Sequence, residues 1–175
     1  RSGELGERLH QALDEAGFLE NDRFEELRRA AVDGFESSPV REPSHAGSAY
    51  PEEKEELESW MAEGMAGGQA GPDGPLVGIA APHASPDGGW ESYRAAYQAL
   101  GEWAREKTFL ILGTSHYGEP DLFGLTRKQF VTPWGTARTD TRLVDELAQR
   151  AHASVRVEDY CHRIEHSIEF QVVFL

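Results

Sequence analysis

The chain has 175 residues, 39% of them hydrophobic, which suits one domain with an ordinary core rather than a disordered segment. Seventeen Lys and Arg against 31 Asp and Glu leave a net charge of −14 with no basic run, a balance that argues against nucleic acid and anionic membrane as partners. The single cysteine, Cys161, excludes an internal disulfide, and no stretch reads as a signal sequence or membrane span, so a cytoplasmic location is expected.

In chain order, residues 4–35 read as a helical hairpin. Leu5, Leu9 and Leu13 space the first helix and Gly17 closes it; the second starts near Asn21 or Asp22 and carries Phe24, Leu27, Ala31 and Phe35. "ESSPVREP" (36–43) has two prolines, two serines and no apolar period, the composition of a linker. It divides the chain into an N-terminal extension, residues 1–43, and a main domain, residues 44–175. A helix then opens at Pro51, carries Leu57, Trp60, Met61 and Met65, and ends in the breaker "AGGQAGPDGP" (66–75).

"LVGIAAPH" (76–83) and "TFLILGTSH" (108–116) are short continuous apolar runs, the pattern of buried strands, with a helix between them spaced by Trp90, Tyr93, Tyr97, Leu100 and Trp103. Strand, helix, strand predicts an α/β fold whose largely parallel or mixed sheet is flanked by helices, with ligands gathered at the carboxyl ends of the strands. "FGLTRKQFVTPWGTARTD" (123–140) alternates as an antiparallel ribbon around a turn at Pro133–Gly135, and Asp140 caps a helix bearing Leu143, Val144 and Leu147. The terminal "IEHSIEFQVVFL" is apolar on two helical faces, Ile164, Ile168, Val172 and Leu175 on one and Phe170, Val173 and Phe174 on the other. Such a helix needs protein on both sides, so the natural domain is expected to continue past Leu175.

Among the chain's seven histidines, His83 and His116 each end one of the apolar runs. In a fold that aligns strand ends, their neutral imidazoles can converge on one metal. "HRIEH" spells the H-x-x-E-H pattern of an inverted zinc peptidase, with His162 and His166 as ligands and Glu165 as base if all three share a helix. That reading lacks a further carboxylate ligand downstream. Ser115 beside His116 does not make a nucleophile pair, because adjacent strand residues point to opposite faces, and "GTSHYG" lacks the lysine and spacing of a phosphate loop. On the helical wheel His166 lies near Glu169 and Val173, where a histidine and a carboxylate on an apolar face must pair with each other or meet a site.

"SHAGSAYP" (44–51), "APH" (81–83), "LGTSH" (112–116), "TPWGTARTD" (132–140) and "EHSIEFQVVFL" (165–175) together resemble the successive motifs of the Memo family, whose bacterial and archaeal members are called AmmeMemoRadiSam system protein B. The resemblance implies a fold related to the class III extradiol dioxygenases, which use non-haem iron. It makes His83 and His116 metal ligands and its E-H-S-x-E motif falls on Glu165, His166 and Glu169; Glu165, Glu169, Tyr50 and Asp87 are expected to support or line the pocket, with His166 as a catalytic proton carrier. The chain departs from the family after A-P-H, where it has Ala84, Ser85, Pro86 and Asp87, and at Tyr117, where some members have a second histidine. The family's later motifs, with a further histidine and a cysteine, fall beyond Leu175, and the third metal ligand is expected there.

The implied function is that of a metal-binding protein, iron being the expected divalent ion and copper or zinc its alternatives. It would act as a redox or oxygen-dependent enzyme on an unknown small molecule beside a radical-SAM partner. A binding module for a metal or peptide, without turnover, is the second reading; the H-x-x-E-H zinc peptidase is the third.

Overall fold

The computed structural model describes residues 2–68, 74 and 76–175 and divides the chain into two compact units, residues 1–38 and 39–175. In the first unit, α1 (Ser2–Glu15) and α2 (Asp22–Ser37) form the expected hairpin. Gly17 makes the turn at φ 74°, a conformation that favours glycine, and a Cβ there would meet Leu27 Cδ1 at 2.7 Å. The Asn21 side chain accepts from the Phe24 N–H at 3.1 Å and so caps α2.

The second unit is mixed α/β, with two small sheets flanked by helices. β1 (Val40–Arg41) runs parallel to β3 (Gln129–Thr132), which pairs antiparallel with β4 (Gly135–Ala137) in the register Phe130 to Ala137 and Thr132 to Gly135. β2 (Phe123–Leu125) runs parallel to β5 (Val155–Val157). The ribbon turn falls where the Pro-Trp-Gly sequence places it, and Asp140 caps α5 (Thr141–Arg150) by accepting from the Leu143 N–H at 3.0 Å. Val40 and Arg41 lie in the stretch read as linker, yet they pair with β3, because a two-residue strand is too short to show a period. α3 (Lys54–Gly64) starts three residues after Pro51; most of the breaker expected beyond it, residues 69–73 and 75, lies outside the described residues.

The strand–helix–strand expectation needs correction. α4 (Trp90–Tyr97) is present, but 76–83 and 108–116 run without sheet pairing, and the parallel pairs that exist are β1 with β3 and β2 with β5. A continuous apolar run marks a segment suited to burial on both faces without specifying a neighbour, and none of the described strands lies beside these two. Val77, Leu110 and Leu112 are exposed, and a cavity of about 800 Å³ opens between the two segments, lined by Ile79, His83, Phe109, Ile111 and Gln171 among others.

α6 (His166–Phe174) joins the two parts of the core. Phe170 and Val173 pack with Tyr50 and Leu57, while Phe174 stacks on Tyr93 and Tyr97 with ring centroids 4.3 and 5.1 Å apart. Of its other apolar stripe, Ile168 and Val172 are half-buried and only the flanking Ile164 and Leu175 are exposed, whereas the polar Ser167 and Glu169 are fully buried. Among the described residues no helix is long and apolar enough to cross a membrane.

Candidate metal centre

Three imidazoles converge at one end of the second unit. Each of His83, His116 and His166 offers a ligand nitrogen, and these nitrogens lie within 4.8 Å of one another. Their ring centroids are 4.7 Å apart for His116 and His166, 5.5 Å for His83 and His116 and 5.6 Å for His83 and His166. His83 and His116 are on exposed loop backbone, so something other than a sheet must hold them.

That holder is α6. The Glu165 carboxylate, at the helix cap, accepts from the His116 backbone N–H at 2.9 Å, from His116 Nδ1 at 3.0 Å and from the Ser167 N–H at 2.9 Å. Ser167 Oγ donates to the Thr114 carbonyl at 2.9 Å, two residues before His116. On the other side, Gln171 Nε2 donates to the Pro82 carbonyl at 3.1 Å and the Tyr93 hydroxyl donates to the Ala84 carbonyl at 2.9 Å, so the backbone is pinned on both sides of His83. Gly113 lets the loop come this close: a Cβ there would sit 2.5 Å from Ser167 Oγ and 2.6 Å from Ile168 Cδ1.

Burial would raise the Glu165 pKa, but hydrogen bonds from the His116 and Ser167 amides and the His116 ring outweigh it and hold the carboxyl down at about 2. An ionised Glu165 accepts a hydrogen bond from the His116 Nδ1–H, which in the neutral ring leaves Nε2 with the free lone pair; carboxylate-to-histidine support of this kind orients metal-binding imidazoles. Burial lowers the His166 pKa, against the opposing pull of Glu165, and so favours the neutral ring that can bind a metal. Three imidazoles form a donor set that fits zinc, copper, iron or nickel.

Glu169 lies one turn further along α6, 1% exposed, and binds the chain near β1. It is ion-paired with the fully buried Arg41, accepts from the Tyr50 hydroxyl and from Ser44 Oγ at 3.0 Å, and takes both the backbone N–H and Nδ1 of His45 at 2.9 Å. Burial again opposes ionisation, and Arg41 with the His45 and Tyr50 hydrogen bonds reverses it to about 2. Tyr50 is therefore a buried support of Glu169, and its own ionisation is pushed up by burial and by Glu169. Asp87 sits exposed on a 3-10 turn, Pro86–Gly88, and accepts from the Trp60 indole at 3.3 Å; it does not join the histidines.

Two sequence readings change. His166, read as a proton carrier beside a ligand set completed past Leu175, is itself the third ring of the cluster. His162 and His166 do not share a helix: His162 ends a 3-10 turn, Tyr160–His162, and α6 begins only at His166, so the peptidase spacing is lost. Both ring nitrogens of His162 are buried without a hydrogen bond, near the Gly124 backbone, and burial lowers its pKa. Cys161 is also buried, its thiol pushed up to about 11 by burial and by Glu158. The sequence reading passed over His45, Arg41, Ser44, Ser167 and Gln171. The signal for Ser44 and His45 was at hand in "SHAGSAYP"; for Ser167 and Gln171 it was the density of polar residues on a helix whose remaining positions are apolar, and for Arg41 the sequence offered none.

Residues 41–175 match the family described as Memo, Memo-like protein. A MEMO1 family protein of Aquifex aeolicus is 32% identical over 163 residues, which cover 93% of this chain and 43% of the relative. MEMO1 family proteins of Thermococcus kodakarensis and Ignicoccus hospitalis are each 32% identical, over 140 and 152 residues; each match covers 78% of this chain, and 47% and 51% of the respective relatives. The chain spans about half the length of the curated relatives it matches.

Proposed function

We propose that this chain, which belongs to the Memo-like protein family, binds a divalent metal through His83, His116 and His166. The observation that carries the reading is the convergence of three ligand nitrogens within 4.8 Å, with the far nitrogen of His116 held by Glu165. The finer proposal follows the family resemblance: the metal is iron, and the whole protein is a redox or oxygen-dependent enzyme acting on a small molecule in the cytoplasm beside a radical-SAM partner. Bound there, the metal would supply open coordination positions for substrate and oxidant. The chain's own residues hold the ligands, Glu165 through His116 and Gln171 through the backbone before His83.

The alternative is a module that binds a metal or peptide without turnover, and one observation favours it. Oxygen-activating iron sites commonly use two histidines and a carboxylate. Here both nearby carboxylates are engaged, Glu165 with His116 and Glu169 with Arg41, His45 and Tyr50. Copper or zinc suits an all-histidine set at least as well as iron.

The test is metal analysis of protein purified without oxygen. Wild type should carry one equivalent, His83→Ala, His116→Ala and His166→Ala should lose it, and His162→Ala should keep it. Full metal retention in His83→Ala with loss in His162→Ala would overturn the assignment. Consumption of oxygen by the iron-loaded protein with an added reductant, absent from the His116→Ala variant, would favour the enzyme over the module.

A further inference from the structure

Glu165 and Glu169 stand one helical turn apart, and each grips a histidine by the same pair of bonds. Glu165 takes the backbone N–H and Nδ1 of His116 at 2.9 and 3.0 Å; Glu169 takes the backbone N–H and Nδ1 of His45, both at 2.9 Å. His45 is thus built into the site in the same way as a metal ligand, but it stands outside the trio. Its ring centroid is 5.8 Å from that of His166, and it does not belong to the group of nitrogens within 4.8 Å of one another.

The surrounding bonds fix where His45 carries its hydrogen. Arg41 donates to Ser44 Oγ at 2.9 Å, and that hydroxyl spends its own hydrogen on Glu169 at 3.0 Å. Ser44 Oγ, 3.0 Å from His45 Nδ1, is therefore an acceptor there, as is Glu169, so Nδ1 must donate. A neutral ring that donates from Nδ1 has a bare lone pair on Nε2. Phe170 holds the ring plane edge-to-face at 5.6 Å, and 26% of the side chain is exposed, which leaves the ring reachable from solvent.

We propose that His45 is a fourth working imidazole of this centre: its Nε2 accepts a hydrogen bond from the hydroxyl of a ligand bound at His83, His116 and His166, and orients that ligand without binding the metal. The ligand class is a small molecule that offers both a metal-binding oxygen and a hydroxyl hydrogen. Glu169, itself clamped by Arg41 and Tyr50, fixes the His45 ring in place, which a freely rotating loop histidine would lack. This inference rests on the metal-site reading.

The test compares glycolate with acetate, two carboxylates that differ by one hydroxyl, on the full chain loaded with cobalt(II), whose visible spectrum reports ligand binding. Metal content is measured first. Wild type should hold one cobalt and prefer glycolate. His45→Phe should hold the same cobalt while its glycolate-to-acetate affinity ratio falls about tenfold, the loss of one hydrogen bond to an ion-bound ligand. His45→Gln, with an amide oxygen that can accept, should recover part of the ratio. A ratio unchanged within twofold in His45→Phe, or no glycolate preference in wild type, overturns the proposal while leaving the metal site standing. Cobalt loss in either His45 variant makes His45 a ligand and overturns it as well; no cobalt in wild type overturns both readings. Should the variants fail to fold, histidine nitrogen NMR of the wild type decides. An unprotonated His45 Nε2 that shifts with glycolate and not with acetate is expected, and a protonated Nε2 overturns the proposal.

Discussion

Two regions hold the candidate centre by opposite means. The loop segments 76–83 and 108–116 deliver His83 and His116 and are apolar, extended and unpaired, with Val77, Leu110 and Leu112 exposed. α6 and the chain around β1 deliver His166 and His45; beside the apolar Phe170 and Val173 they bury polar side chains, with Arg41, Glu165, Ser167 and Glu169 each less than 5% exposed and each bonded. The geometry of the site is therefore set by side chains of one helix gripping backbone on the loops, and not by the loops' own packing. Around the site, buried polar bonds rather than apolar runs define where the histidines stand.

The largest test of that contrast is acid. Glu165 and Glu169 have folded-state pKa values near 2, below the 4.5 of a free glutamate, so the stability they contribute is present above about pH 4.5 and is lost as pH falls towards 2. Two such groups represent on the order of 5 kcal/mol, comparable with the whole stability of a small domain. Circular dichroism followed from pH 7 to pH 2 should show unfolding between pH 4 and 2. Retention of tertiary structure at pH 2 would mean that α6 does not hold the domain.

The next is Glu169→Ala, which strands a buried arginine and removes the His45 and Tyr50 acceptor. A loss of about 3–5 kcal/mol is expected in urea unfolding, and Glu169→Gln should lose less because its amide oxygen still accepts. Equal losses for the two variants would show that charge, rather than hydrogen bonding, carries the grip. The smallest effect belongs to the other region: Leu110→Ser, at a side chain 62% exposed, should change stability by no more than about 0.5 kcal/mol. A loss of 2 kcal/mol or more there would mean that Leu110 is buried in solution, and the contrast would fail.

The same contrast explains what the sequence could disclose. Asn21 and Asp140 as caps, the Gly17 turn and the ribbon around Pro133–Gly135 were legible because each depends on a few adjacent residues. The motif resemblance was legible because five short motifs occur in order, and residues 41–175 match that family. A βαβ sheet was read from 76–116 and is not there, since an apolar run does not name its neighbour. His83 and His116 were singled out by position, whereas the closeness of His166 to them and the grip on His45 were not legible, because both depend on which groups meet across the fold. H-x-x-E-H misled for a related reason: the helix that would align its two histidines starts at the second of them.

Each bond from Glu165, Ser167, Glu169 and Gln171 to the loops spans between 49 and 125 residues of chain. Contacts that distant form late and slowly, because the entropy of closing the intervening loops must be met before the bonds reward it. During synthesis His45, His83 and His116 leave the ribosome well before the helix that grips them, and until it arrives they are imidazole ligands that nothing positions. A metal captured then would be held by whichever histidines happen to be near, so under the proposed metal reading the order of folding and loading would decide which ion the centre holds. Refolding with and without zinc present at the start should therefore give different rates, the metal slowing the appearance of native structure when it is added before α6 has docked.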